Sequence, residues 1–157
     1  MRTVEEREAW LARHNLQPQT PFADWAGDTA QHKLQMQFEM QTNCPVVPVE
    51  IDGRRMLAML DTGAGLPLML IRWTGDKPLA RWQQTNTVSW NGPRTYARAP
   101  EPVALTVGGH TVNVSADYAL DPDEFLFLPC DVVIGWPVLA QWSWSIDFEE
   151  GVFRFVP

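Results

Sequence analysis

One carboxylate in the sequence, that of Asp61, lies between apolar segments, as a catalytic group in the protein interior would. Asp61 follows the apolar run Met56–Leu60 and precedes a second apolar stretch, Leu66–Ile71. The two residues directly after it are Thr62 and Gly63. Asp-Thr-Gly by itself is typical of an ordinary turn, because Asp and Gly both favour turns. Between two apolar segments, however, the carboxylate would lie inside the protein, where a charged group without partners is costly. Asp61 is therefore the first candidate for a chemically active group.

Other catalytic arrangements find less support. The chain has no Gly-x-Ser-x-Gly motif, and no serine has a histidine close in sequence, although a triad assembled in space stays open. Cys44 and His110 could form a nucleophile and base, but a buried structural cysteine is the simpler interpretation. Asp121, Asp123 and Glu124 could bind a cation, but a solvated acidic loop is the favoured interpretation. Cysteines and histidines show no zinc-ligand spacing, so we expect neither a metal nor a cofactor.

The charge balance argues against nucleic acid as a partner. Twelve Lys and Arg against nineteen Asp and Glu give a formal charge of −7, and no basic cluster stands out. No apolar run approaches the roughly 20 residues of a membrane span, and the first residues, MRTVEEREAW, lack the apolar segment of a signal peptide. We therefore expect a cytoplasmic protein without a membrane partner. In a reducing compartment, Cys44 and Cys130 are expected to be thiols, with a disulfide as the less favoured alternative.

Turn signals divide most of the chain into hairpins that would position these residues. Asp52-Gly53, Asn91-Gly92 and Gly108-Gly109 are typical two-residue hairpin turns, and Glu149–Gly151 marks a longer one. The strands predicted around them are Val46–Ile51 with Arg54–Leu60, Thr87–Trp90 with Arg94–Arg98, Val103–Val107 with Thr111–Ala116, and Trp144–Phe148 with Val152–Val156. Strands at regular spacing with turns between them predict an all-β barrel or sandwich.

Three further segments complete the predicted architecture. Leu34–Met40 alternates apolar with polar residues as a half-buried strand does, and Asp131–Ile134 reads as a short buried strand. Pro137 stands where the first residue of a short helix would. Thr3-Val4-Glu5-Glu6 fits a capping box and predicts a helix over about 4–14. The chain then divides into an N-terminal helical extension, residues 1–33, and an all-β domain, residues 34–157.

Two segments carry a resemblance to a known family. Asp61-Thr62-Gly63-Ala64 resembles the active-site signature of retropepsin-like aspartic proteases. Val132-Val133-Ile134-Gly135, followed by Trp136-Pro137-Val138-Leu139, is similar to the apolar-apolar-Gly segment and the helix that close the family's monomer. The Asn91-Gly92 hairpin stands between them, where the family has its flap. The resemblance covers roughly residues 46–156 and implies a closed barrel with a flap hairpin and one short C-terminal helix, which is half of a homodimeric protease.

The resemblance also implies roles for individual residues. Asp61, Thr62 and Gly63 would be catalytic: Asp61 supplies a carboxylate, Thr62 ties two such loops together, and the Gly63 amide donates to the carboxylate. The residues implied in substrate binding are Ala64, Trp90, Asn91, Gly92 and Ile134. Because only one Asp-Thr-Gly occurs, two facing carboxylates require a symmetric homodimer in which they share a proton.

The chain departs from the retroviral members at two positions. Those members often carry an Asp just after the first motif and an Arg after the glycine of the second. Here Gly65 or Leu66 and Trp136 stand at these places, so both charges are missing together and neither is left without its partner. The apolar C-terminal strand, Val152–Val156, is expected to pair across the dimer, because an apolar terminal strand needs a partner edge.

The expected function is that of an aspartic endopeptidase. The substrate would be an extended polypeptide, cleaved between apolar residues by a water molecule activated between the two Asp61 carboxylates. The alternative is a catalytically silent module of the same fold, used for dimerisation or peptide binding.

Overall fold

The described part of the protein is almost entirely β-sheet. The computed structural model describes residues 27–28, 33–35, 37–38, 44–73, 83–89, 92–120, 128 and 130–157. Within these residues the only helix is the short α1, Trp136–Leu139, with Pro137 in its first turn. The all-β class predicted from the turn spacing is therefore confirmed. The helix predicted over about 4–14 lies outside the described residues. No described helix has the length and apolar composition needed to cross a membrane.

Fourteen strands occur in the described residues and are numbered here in chain order. They are β1 (Gly27–Asp28), β2 (Lys33–Gln35), β3 (Gln37–Phe38), β4 (Pro45–Ile51), β5 (Arg54–Asp61), β6 (Leu68–Leu70), β7 (Gln83–Ser89), β8 (Gly92–Arg98), β9 (Val103–Val107), β10 (His110–Val114), β11 (Ala116–Ala119), β12 (Val132–Gly135), β13 (Ser143–Asp147) and β14 (Val152–Val156).

The larger of the two sheets curls into a half-barrel. Its strand order is β10-β9-β4-β5-β12-β6-β11-β8-β7, with β3 attached to β4. Two of its pairings are parallel, β5 with β12 and β6 with β11. Strand β12 thus lies between β5 and β6, the two strands that enter and leave the Asp61 loop.

Two hairpins form as their turn residues predict. Asp52 and Gly53 have φ angles of 49° and 76°, and Gly108 and Gly109 have 51° and 80°. Positive φ at both central residues is the geometry of the type I′ turn, whose twist matches that of the flanking strands. The hairpins β4–β5 and β9–β10 are confirmed with these turns.

Three predicted strand limits are corrected by the register. Gly92 is the partner of Ser89 and belongs to β8, so it is not a turn residue of an Asn91-Gly92 tip. The predicted strand Thr111–Ala116 is interrupted at Ser115, since β10 pairs with β9 whereas β11 pairs with β6 and β8. Leu34–Met40 contributes β2 to the smaller sheet and β3 to the larger one. In the last two cases, pairing with strands distant in sequence sets the limit, which a local pattern does not encode.

Strand β5 is buried on both faces, which explains its unbroken apolar sequence. Met56, Ala58 and Leu60 pack into the larger core, which joins residues of both sheets. Leu57 and Met59 point to the opposite face and pack into a smaller group, called here the side cluster. The buried members of the side cluster are Val46, Leu57, Met59, Ile71, Leu128, Cys130 and Val133.

Cys44 and Cys130 both contact the side cluster, but no disulfide joins them. The disulfide that the sequence left open is thus not formed in this structure.

The smaller sheet has the order β1-β2-β14-β13. Strand β14 lies between β13 and β2 of its own chain, with Phe153 opposite both Ile146 and Leu34. Over Val152–Arg154 the chain itself therefore supplies both neighbours, and there the strand does not need an edge from a second subunit. On the inner side, Phe153 and Phe155 stack with their ring centres 5.6 Å apart. Trp142 lies 4.7 Å from Phe155, so aromatic contacts hold this sheet on the core.

Candidate active site

Asp61 is the last residue of β5 and is half-buried. Its neighbour across the sheet is Gly135, the last residue of β12. The loop that follows Asp61 passes the end of β12 and returns as β6 on its other side. The two segments that carried the family resemblance therefore lie side by side, although the sequence separates them widely.

The loop after Asp61 holds its carboxylate by a short hydrogen bond. The Gly63 amide donates to Asp61 Oδ1 at 2.8 Å, and the Ala64 amide donates to the Asp61 carbonyl oxygen at 3.2 Å. A Cβ atom on residue 63 would stand 3.2 Å from the same Oδ1, which is a tight contact. The absence of a side chain at Gly63 thus lets its backbone approach the carboxylate.

Backbone hydrogen bonds join the loop to the second segment. The Trp136 amide donates to the Ala64 carbonyl oxygen at 2.9 Å, and the Gly135 amide donates to the Pro67 carbonyl oxygen at 3.1 Å. A Cβ atom on residue 135 would overlap the Leu66 carbonyl oxygen and stand 2.7 Å from that of Ala64. Only glycine fits at position 135, because the loop backbone passes directly over it.

Two polar residues that the sequence analysis passed over support this arrangement. The Leu57 amide donates to Asp131 Oδ2 at 2.9 Å, and the Asp131 amide donates to the Leu57 carbonyl oxygen at 2.8 Å. Arg72 is only 6% exposed, and its guanidinium donates to the carbonyl oxygens of Leu128, at 2.6 Å, and of Cys130. Both residues fix the chain where it enters β12. Their signal was a charged residue next to an apolar strand, where burial requires a partner.

The remaining predicted site residues differ in their location and burial. Thr62 is exposed and Ala64 is half-buried in the same loop. Ile134 is 0% exposed and packs in the larger core. Gly92 lies on β8, which is separated from β12 by β6 and β11 in the sheet. Trp90 and Asn91 lie outside the described residues.

The surface around the loop carries an aromatic side chain where the retroviral pattern has a charge. Trp136 is 50% exposed, directly after Gly135. Among the ion pairs between described residues, none involves Asp61. Nor do three His, Cys, Asp or Glu side chains of the described residues come together as metal ligands would. The loop thus presents a carboxylate that accepts a hydrogen bond from a backbone amide, beside the half-exposed Trp136.

Comparison with models of protein families finds no match, and no curated protein is significantly similar in sequence. The resemblance to the retropepsin-like proteases accordingly depends on the residues and contacts described above.

Proposed function

We propose that the protein is an aspartic endopeptidase of the retropepsin-like type, active as a homodimer. The observation that carries this proposal is the Asp61 loop: a carboxylate at the end of a buried strand, bonded to the Gly63 amide and locked against Gly135. An ordinary surface turn would need neither the buried strand on each side nor a glycine pressed against the loop backbone.

One chain supplies only one of the two carboxylates that the reaction needs. The reaction needs a base that accepts a proton from water and an acid that donates one to the scissile carbonyl oxygen. Two Asp61 carboxylates facing each other across a two-fold axis would share one proton and fill both roles. The attack of water yields a tetrahedral intermediate. Its collapse breaks the C–N bond as the carboxyl that took the proton from water gives it to the leaving amine. The other carboxyl takes back the proton that it had donated to the carbonyl oxygen.

The surface position of the loop is compatible with such a dimer. Thr62, Gly63 and Gly65 are exposed, and Trp136 is half-exposed beside them. A second copy could therefore bring its own loop against this one without unfolding either chain. The hairpin β7–β8 would serve as the flap, and an extended substrate would lie beneath it and pair as an added strand.

The direct test is cleavage of a mixed peptide library over a range of pH. Because one carboxyl must be ionised and the other protonated, the rate should rise and then fall with pH, with an acidic to near-neutral optimum. A statine-type analogue of the tetrahedral intermediate should inhibit the cleavage, and a chelator should not. A rate still rising at pH 9, or inhibition by chelator that zinc reverses, would contradict the mechanism. A protein that binds peptides without cutting any would be the silent module.

Trp136→Ala should weaken the dimer, because a half-exposed indole beside the loop is the largest apolar contact that the loop surface offers. We expect the dimer dissociation constant to rise at least tenfold, as measured by sedimentation. On dilution, the variant should therefore begin to lose activity per chain at a protein concentration at least ten times higher than wild type does. The matched control is Leu120→Ala. Leu120 is also exposed, but it comes after β11, and β11 runs away from the end of the sheet at which Asp61 and Gly135 lie. Equal dissociation constants for both variants would place the interface elsewhere.

A further inference from the structure

An ion pair with a buried carboxylate joins the hairpin β7–β8 to the rest of the sheet. Asp117 on β11 is 0% exposed, and Arg98 on β8 donates to it from Nε at 3.1 Å and from Nη2 at 3.0 Å. The Arg98 side chain is 40% exposed. The hydrogen bond and the charge of Asp117 raise the pKa of Arg98 further above its ordinary value. Two parallel bonds from a guanidinium to a carboxylate give a stronger and more directional contact than a single one.

The ion pair lies in the sheet between the strands around Asp61 and the hairpin β7–β8. Asp117 stands opposite Arg98 on one side and opposite Met69 on the other. Met69 belongs to β6, the strand that leaves the Asp61 loop, and it pairs in turn with Val133 of β12. One row of residues thus runs from the strands around Asp61, through the ion pair, to the hairpin.

The hairpin is attached to the sheet over a short length only. Strands β7 and β8 pair with each other from Gln83 with Arg98 to Ser89 with Gly92. Strand β8 pairs with β11 only over Tyr96–Arg98. Among the described strand pairings, β8 therefore joins the rest of the sheet through Tyr96–Arg98, called here the root of the arm that β7 and β8 form.

The orientation of such a two-stranded arm depends on the contacts at its root. A two-stranded hairpin is marginally stable by itself in water, so its orientation comes from what anchors it. Backbone pairs at the root allow the arm to twist and open locally. A carboxylate without exposed surface adds a strong restraint, because it is costly to leave without the guanidinium that compensates it.

We propose that the Arg98–Asp117 pair is the anchor that sets the orientation of the hairpin β7–β8 relative to the sheet that carries Asp61. Arg98 is then a positioning residue for the binding of a polypeptide under the hairpin. The anchoring follows from the contacts of this chain alone, whereas the role in substrate binding rests on the proposed function.

Hydrogen exchange of the full-length protein tests the anchor without any assay of activity. Arg98→Lys keeps the charge but loses the two-pronged contact. Amides in residues 84–97 should exchange about tenfold faster in this variant, because loss of a charge-assisted bond favours local opening. Amides in the hairpin β9–β10, residues 103–114, should be unchanged. Arg154→Lys is the matched control, since Arg154 makes an exposed ion pair with Glu150 within the hairpin β13–β14.

Either of two results would overturn the anchor: no change at residues 84–97, or an equal acceleration in both hairpins, which would mean a general loss of stability. Asp117→Asn is the second variant and should accelerate the same amides. Should it prove insoluble, Arg98→Lys decides the question.

A kinetic measurement tests the role in binding. With a cleavable peptide, Arg98→Lys should raise KM about tenfold and change kcat less, because the hairpin positions the substrate and does not touch the reacting atoms. Faster exchange at residues 84–97 in a protein that cleaves no peptide would leave the anchor standing and remove the proposed function. If the variant cleaves peptide with an unaltered KM and its amides exchange at the wild-type rate, the protease function stands and the anchor is refuted.

Discussion

Asp61→Asn is expected to abolish peptide cleavage while leaving the fold intact. The rate should fall by about 10³-fold or more, since an amide can neither accept the proton from water nor donate one as an acid. Stability should change little, because the Asn oxygen can still accept the Gly63 amide that now bonds to Asp61 Oδ1. The measurements are kcat/KM on a cleaved peptide and the melting temperature. Glu101→Gln is the matched control, since it removes an exposed carboxylate from the connection between β8 and β9.

Mixing experiments with the same variant test the half-site. Adding an excess of Asp61→Asn chains to wild type should lower the activity per wild-type chain, because each mixed dimer holds only one carboxylate. Activity that stays constant per wild-type chain would show that a single subunit is sufficient. Equal cleavage by the pure variant and the wild type would end the protease proposal altogether.

Gly135→Ala is expected to have the largest effect on stability. The new methyl group would overlap the Leu66 carbonyl oxygen and crowd that of Ala64, and both are backbone atoms that cannot rotate away. Moving the loop would break the hydrogen bonds from Gly135 to Pro67 and from Trp136 to Ala64. Overpacking of this kind costs about 3 kcal/mol or more. For a domain of this size, that is a fall of roughly 6–12 °C in Tm.

Gly65 provides the control within the same loop. A Cβ atom there would meet nothing within 4 Å, so Gly65→Ala should keep the melting temperature within about 2 °C of wild type. The comparison is made by thermal unfolding and by urea denaturation. If both alanine variants melt together, the close approach of β12 to the Asp61 loop is absent in solution.

The local features of this fold were accessible from the sequence. Asp52-Gly53 and Gly108-Gly109 specify their hairpins because the turn geometry depends on the φ preferences of two adjacent residues. The apolar run before Asp61 and the Thr-Gly after it likewise predict a carboxylate at the end of a buried strand. The all-β class follows from the number and spacing of such signals.

The remaining features depend on residues that only the tertiary structure brings together. The parallel pairing of β5 with β12 sets Asp61 beside Gly135, and no local pattern encodes a partner so distant in sequence. Gly92 belongs to a strand, and Ile134 to the core, because register and sheet face are decided by neighbouring strands. Asp117 looked like one polar residue among many. We propose it as an anchor because the fold buries its carboxylate and brings Arg98 to it, and the free energy of burying a charge depends on its partners.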